Sequence, residues 1–123
     1  MILVDTSVWI SFLRKDDSDI EYILKTYLRK DHVYTVSAVF GELYQGVKNK
    51  REREILNVIW ESLPKVEERD LFIQAGILSN KHKLYAKGVG LIDCYLLAAC
   101  FNQELNLWTL DKKLQDAFEE INS

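Results

Sequence analysis

The sequence predicts an α/β fold, three layers with helices on both faces of a central parallel sheet, and two observations carry that prediction. Short β-branched runs alternate along the chain with stretches of helical period, the pattern of strands joined by helical crossovers. Late in the chain, "GVGLIDCYLLAACF" places apolar side chains at nearly every angle around a helix axis from Leu91 to Phe101. That is a buried helix rather than a surface one.

The elements follow in order. "ILV" before Asp5 reads as a first strand, and "DTSVWISFLR" after it changes to a helical period with Asp5, Thr6 and Ser7 as capping residues. A second amphipathic helix spans 18–30 on Ile20, Ile23, Leu24, Tyr27 and Leu28, and "HVYTV" reads as the next strand. "SAVFGELYQGV" resumes the helical period with Ser37 as its cap, and "KREREILNVIWESL" continues it until Pro64. A further helix before Gly88 carries Leu71, Phe72, Ala75 and Leu78. The buried helix is next, then "NLWTL" as the last strand and "DKKLQDAFEEI" as a closing amphipathic helix.

A length of 123 residues fits one domain, residues 1–123, able to bury about two-thirds of its unfolded surface. An apolar fraction of 48% and a net charge of −3 describe an ordinary globular chain, not a disordered one. The acidic balance excludes a general polyanion binder, so any nucleic-acid contact must be local. The start lacks the basic opening and cleavage site of a signal peptide, and no apolar run is long enough to span a membrane. Cys94 and Cys100 fall about 240° apart on one helix and cannot bridge there. A cytoplasmic, reducing location is the expectation, with no membrane contact.

Asp93 interrupts the buried helix as its single charge. An ionised carboxylate removed from water needs a compensating group: a helix cap, a salt bridge or a metal. Its neighbours three and four residues away are Val89, Gly90, Leu96 and Leu97, none of them a cation. Glu42 shares that isolation, with Ala38, Val39, Gln45 and Gly46 at the corresponding positions. Asp5 and Asp111 each read, singly, as the cap of the following helix. If the strands ending at Asp5 and just before Asp111 are parallel neighbours, both carboxylates nevertheless emerge at one sheet edge, the edge where such folds bind ligands. A shared divalent cation satisfies all four, and an oxygen-only donor set suits Mg²⁺ or Mn²⁺. His32 and His82 lack metal-type spacing and stay outside the site.

With these residues in place, "ILVDTSVWI", "SAVFGELYQGV", "KGVGLIDCYLLAAC" and "LWTLDKKL" resemble, in order and over almost the whole chain, the four motif regions of the PIN domain family, and within it the VapC-type ribonuclease toxins. The resemblance implies catalytic, metal-holding roles for Asp5, Glu42, Asp93 and Asp111, with Mg²⁺ or Mn²⁺ as cofactor. It also implies Thr109 as the small hydroxyl before the last acid, and Thr6 and Ser7 support the ligands from behind. Lys113 and Leu114 depart from the last motif, where many relatives carry another polar or acidic group and an aromatic. Asp116 reads as a solvated partner of Lys112.

The activity this implies is metal-assisted hydrolysis of RNA phosphodiester bonds by a toxin held by a cognate antitoxin. Arg14, Lys15, Lys48 and Arg51 are candidate phosphate contacts, with Lys81, Lys83 and Lys87 beside them, although charge runs also serve simply as solvated faces. Helix faces around Trp9, Phe12, Tyr22 and Tyr44 are the expected surfaces for a homodimer and the antitoxin. A housekeeping RNA-processing PIN nuclease and a non-catalytic PIN-like binding module are the alternatives, and the second predicts missing site acids. A phosphohydrolase with an acidic nucleophile needs a second acid close behind the first, which "DTSVW" does not supply.

Overall fold

Three parallel strands form the centre of the molecule in the order β2, β1, β3: β1 is Ile2–Val4, β2 Val33–Tyr34 and β3 Asn106–Trp108. The computed structural model describes residues 1–123. β1 lies between its partners, with Ile2 opposite both Val33 and Asn106, and Val4 opposite Trp108. All three of its side chains are buried, as a central parallel strand covered on both faces requires. The chain leaves β1 toward β2 on one side and later returns to β3 on the other. That reversal places a crevice beyond the carboxyl end of β1.

Seven α-helices surround the sheet: α1 Thr6–Arg14, α2 Ser18–Arg29, α3 Ser37–Gln45, α4 Lys50–Ser62, α5 Leu71–His82, α6 Leu91–Gln103 and α7 Lys112–Asn122. A single 3₁₀ turn at Tyr85–Lys87 precedes α6. Gly88 follows it at φ +78°, and a Cβ there would stand 3.1 Å from Lys113 Nζ. The backbone conformation, not the packing, selects glycine at this position, since the lysine tip can move aside.

The expected architecture is present, and several local readings need correction. The helical period after Ser37 does not run unbroken to Pro64. α3 stops at Gly46, and Asn49 starts α4 by accepting from Glu52 N–H at 2.9 Å, while Glu52 Oε1 accepts from Lys48 N–H at 2.9 Å. These reciprocal caps make a separate start cheaper than continuation. Ser37 is the first helical residue rather than the cap, and the apolar Val36 stands before it. β2 is shorter than "HVYTV", although Thr35 adds an isolated parallel bridge to Lys65.

α6 is buried from Cys94 to Cys100, except that Tyr95 is half-covered; Phe101 is half-covered too, while Leu91 and Ile92 at its start and Asn102 and Gln103 at its end reach solvent. Phe101 stacks on Phe118 of α7 with centroids 5.6 Å apart. Trp9 is fully buried, edge-on to Phe12 at 5.8 Å and to Phe40 at 5.9 Å. This overturns Trp9 as a partner surface. Phe12 and Tyr44 pack half-buried against the same core, so of the four residues proposed for partners only Tyr22, 71% exposed, faces water. The nine-residue α1 is contacted by both α2 and α3, which leaves its aromatic side no solvent face. Three further large apolar side chains, Phe72, Ile73 and Ile77, are exposed on α5. No helix is long and apolar enough to cross a membrane.

Candidate active site

Asp5 directly follows β1, and its backbone N–H donates to the Trp108 carbonyl at 2.9 Å, carrying the β1–β3 pairing one step further. Its buried side chain is held by three donors. Oδ1 accepts from Thr6 N–H at 2.7 Å, and Oδ2 accepts from Ser7 Oγ at 2.8 Å and Thr109 Oγ1 at 2.6 Å. A carboxylate offers about four acceptor positions, so three are filled and one direction stays open. Asp5 does cap α1, and the two hydroxyls fix the same group for something more.

The turn after β3 is tied to the start of α1 by the same hydroxyls. Thr109 Oγ1 also accepts from Asp111 N–H at 3.0 Å, and Ser7 Oγ accepts from Leu110 N–H at 3.0 Å. Asp111 thereby has a fixed backbone, and its Oδ1 caps α7 through Lys113 N–H at 2.9 Å and Leu114 N–H at 3.2 Å. On the facing side Thr6 Oγ1 donates to Glu42 Oε1 at 2.7 Å. Thr6 therefore ties α1 to α3, and Glu42 is exposed at the crevice rim.

Asp93 sits half-buried in the first turn of α6. No side chain caps this helix, and Gly90 is its N-cap residue. None of the four ion pairs of the molecule includes Asp93. Cap and salt bridge are thus both absent. Burial first, and then the negative charges of Asp5, Asp111 and Glu42, push the Asp93 carboxyl up to about 6. No cation offsets them.

Topology therefore brings Asp5, Glu42, Asp93 and Asp111 within one another's electrostatic reach, although no three Asp, Glu, His or Cys side chains are gathered at metal-ligating distances. Mutual repulsion opposes closer approach, and Glu42 and Asp111 each spend an oxygen on a protein donor. The donor chemistry fits a hard divalent cation: oxygen ligands only, one buried carboxylate preoriented by three donors, and a second whose pKa is raised by burial and then by the neighbouring negative charges.

Of the expected phosphate contacts, Arg14 and Lys48 line one groove of about 310 Å³ together with the site acid Glu42, floored by Ile10, Leu43 and Val47. Lys15 and Arg51 lie outside that lining, Lys15 as the left-handed cap of α1 and Arg51 exposed on α4. Lys81 and Lys83 end α5, and Lys87 pairs with Glu120 at 3.0 Å. Asp116 pairs with Lys112 at 3.0 Å, in solvent. Glu68 was not singled out from sequence, yet it accepts from Ser37 of α3 and Tyr95 of α6. Its partners lie about thirty residues away on either side, beyond any local pattern.

The model of the PIN domain family matches residues 2–119. Ribonuclease VapC32 of Mycobacterium tuberculosis, in strains CDC 1551 / Oshkosh and H37Rv, is 31% identical, the match covering 98% of this chain and 92% of the relative. Among solved structures, VapBC2 from Rickettsia felis bound to a promoter DNA fragment superposes with a TM-score of 0.72 at 18% identity, covering 94% of this chain and 92% of that one. FitAcB from Neisseria gonorrhoeae superposes with a TM-score of 0.66 at 21% identity, covering 97% and 94%. With a family match over nearly the full length, and a relative of this identity whose match spans it, the chain belongs to the PIN domain family.

Proposed function

We propose that this chain is a metal-dependent endoribonuclease that hydrolyses RNA phosphodiester bonds, acting as the toxin of a toxin–antitoxin pair. The observation that carries the reading is Asp93, a half-buried carboxylate that feels the negative charges of three others and has no ion-pair partner. Such an arrangement is destabilising in itself, and groups of this kind concentrate at functional sites. The relative named Ribonuclease VapC32 supports RNA as the substrate and the toxin assignment.

Asp5 and Asp93 would hold Mg²⁺ or Mn²⁺, with Glu42 and Asp111 as further ligands or as acceptors for ordered water. When bound, the cation supplies a Lewis acid that lowers the pKa of water and neutralises charge on the phosphate. The side chains do the rest. Thr109, Ser7 and the Thr6 N–H hold the Asp5 carboxylate in one orientation. The Ser7 and Thr109 hydroxyl protons are committed to Asp5, so neither hydroxyl is set up as a nucleophile and water fills that role. Arg14 and Lys48 along the groove bind RNA phosphates beside Glu42.

The cognate antitoxin and a homodimer are part of this proposal, as is a cytoplasmic setting, which the two buried free cysteines fit. The test is incubation of the purified chain with structured and single-stranded RNAs in Mg²⁺ or Mn²⁺, with and without EDTA. Cleavage abolished by EDTA and restored by metal is expected. Cleavage that survives chelation contradicts the metal mechanism.

A further inference from the structure

Glu68 lies half-buried in the connection between α4 and α5 and takes three hydrogen bonds from two other helices. Its Oε2 accepts from Ser37 N–H at 3.0 Å, and its Oε1 accepts from Ser37 Oγ at 2.5 Å and from the Tyr95 hydroxyl. α3 has no side-chain cap of its own because apolar Val36 occupies the capping position. A carboxylate far along the chain therefore fills that role, where the positive end of the helix favours negative charge.

We infer that Glu68 is a positioning residue for the acidic site, clamping the helix that carries Glu42 to the helix that carries Asp93. Ser37 and Glu42 are on α3, little more than one turn apart, and Tyr95 follows Asp93 by two residues on α6. No ion pair joins α3 and α6, and the side-chain link between them is the cluster of Tyr95, Glu68 and Ser37. Glu42 and Asp93 carry like charge, so repulsion acts to open the gap they share. A carboxylate bonded to both helices from the connection between α4 and α5, which the Thr35–Lys65 bridge ties to the end of β2, resists that opening. Tyr95 also packs against Phe72 of α5, with ring centroids 5.8 Å apart.

The inference rests on the metal-nuclease reading, and its test separates the two. Four full-length proteins are compared: wild type, Glu68→Ala, Tyr95→Phe and Asn102→Ala. Tyr95→Phe cuts the link to α6 while leaving the Ser37 cap and the Phe72 contact, so it remains informative where Glu68→Ala does not fold. Asn102→Ala is the control, because it removes a hydrogen bond of the same kind, to Gln74 of α5, at the end of α6 away from the acids. Mn²⁺ affinity is measured by calorimetry without RNA, beside the Tm and the steady-state cleavage of RNA.

Glu68→Ala and Tyr95→Phe should weaken Mn²⁺ binding about tenfold, as loss of groups that orient ligands does. They should lower kcat with KM for RNA nearly unchanged, whereas Asn102→Ala shifts Tm alone. Wild-type Mn²⁺ affinity in both Glu68→Ala and Tyr95→Phe overturns the clamp while leaving the nuclease reading intact. An equal loss in Asn102→Ala also overturns it, by showing general loosening. A wild-type chain that binds no Mn²⁺ overturns the nuclease reading, and the clamp with it.

Discussion

Thr109 and Asp5, 104 positions apart in the chain, are joined by a 2.6 Å hydrogen bond from the threonine hydroxyl to Asp5 Oδ2. The same hydroxyl accepts from Asp111 N–H, so one atom locks the ends of two parallel strands together and aims an acid from each into the crevice. Thr109→Val keeps the shape and removes both bonds. It should reduce cleavage at least tenfold, and the orphaned polar groups should lower stability by about 1–3 kcal/mol. Steady-state kinetics beside denaturant melts measure the two effects, and unchanged kinetics would remove Thr109 from the site.

Asp93 makes the apo protein pH-sensitive, with a definite sign. Its folded pKa of about 6 lies above the ordinary 3.8, so between those values the folded state binds more protons than the unfolded state. Stability therefore falls as pH rises from about 4 to about 6, because ionisation destabilises the native state. The shift, 6 − 3.8, sets a ceiling of about 3 kcal/mol, and partial solvent access reduces it to about 1 kcal/mol. Urea melts in EDTA across this range should show the slope, and Asp93→Asn should flatten it. A slope of opposite sign would mean that Asp93 has a cationic partner.

Asp116→Asn should do almost nothing. Its pair with Lys112 is exposed and within one turn, a class of interaction contributing at most about 0.5 kcal/mol. Loss of cleavage in this variant would make Asp116 a fifth site acid.

The groove predicts a division of labour among the cations. Arg14→Ala with Lys48→Ala should raise KM for RNA several-fold, leave kcat near wild type and reduce the salt dependence of binding. Lys15→Ala with Arg51→Ala should change KM less. Equal effects in the two pairs would mean that the groove holds no RNA.

Asp5 and Asp111 were legible as neighbours on the condition that their two strands pair in parallel, which the order β2, β1, β3 meets, and Glu42 and Asp93 were legible because neither has a cation within a helical turn. Their ties were not legible. The Thr6 bond to Glu42 spans 36 positions and the Glu68 bond to Ser37 spans 31, with no local periodicity to report either. Trp9 was misplaced outward because a helical wheel shows which residues share a face but not that α2 and α3 both close over a short helix. The break at Gly46 was passed over because a helical period returns after Asn49, yet Leu56, Ile59 and Trp60 fall on a different side of the axis from Val39, Phe40 and Leu43, a change of phase that one continuous helix does not allow.

The most direct test of the central claim, that four converging carboxylates form a cation-dependent RNA-cleaving centre, is RNA cleavage by wild type and Asp93→Asn over a Mn²⁺ titration from EDTA upward. Asn keeps the shape and removes one charge, and it orphans no cation because none faces Asp93. Wild-type activity should rise from zero to saturation with metal, while Asp93→Asn stays inactive at every concentration yet melts, in EDTA near neutral pH, at or above the wild-type temperature. An Asp93→Asn protein that cleaves with the wild-type metal dependence contradicts the account.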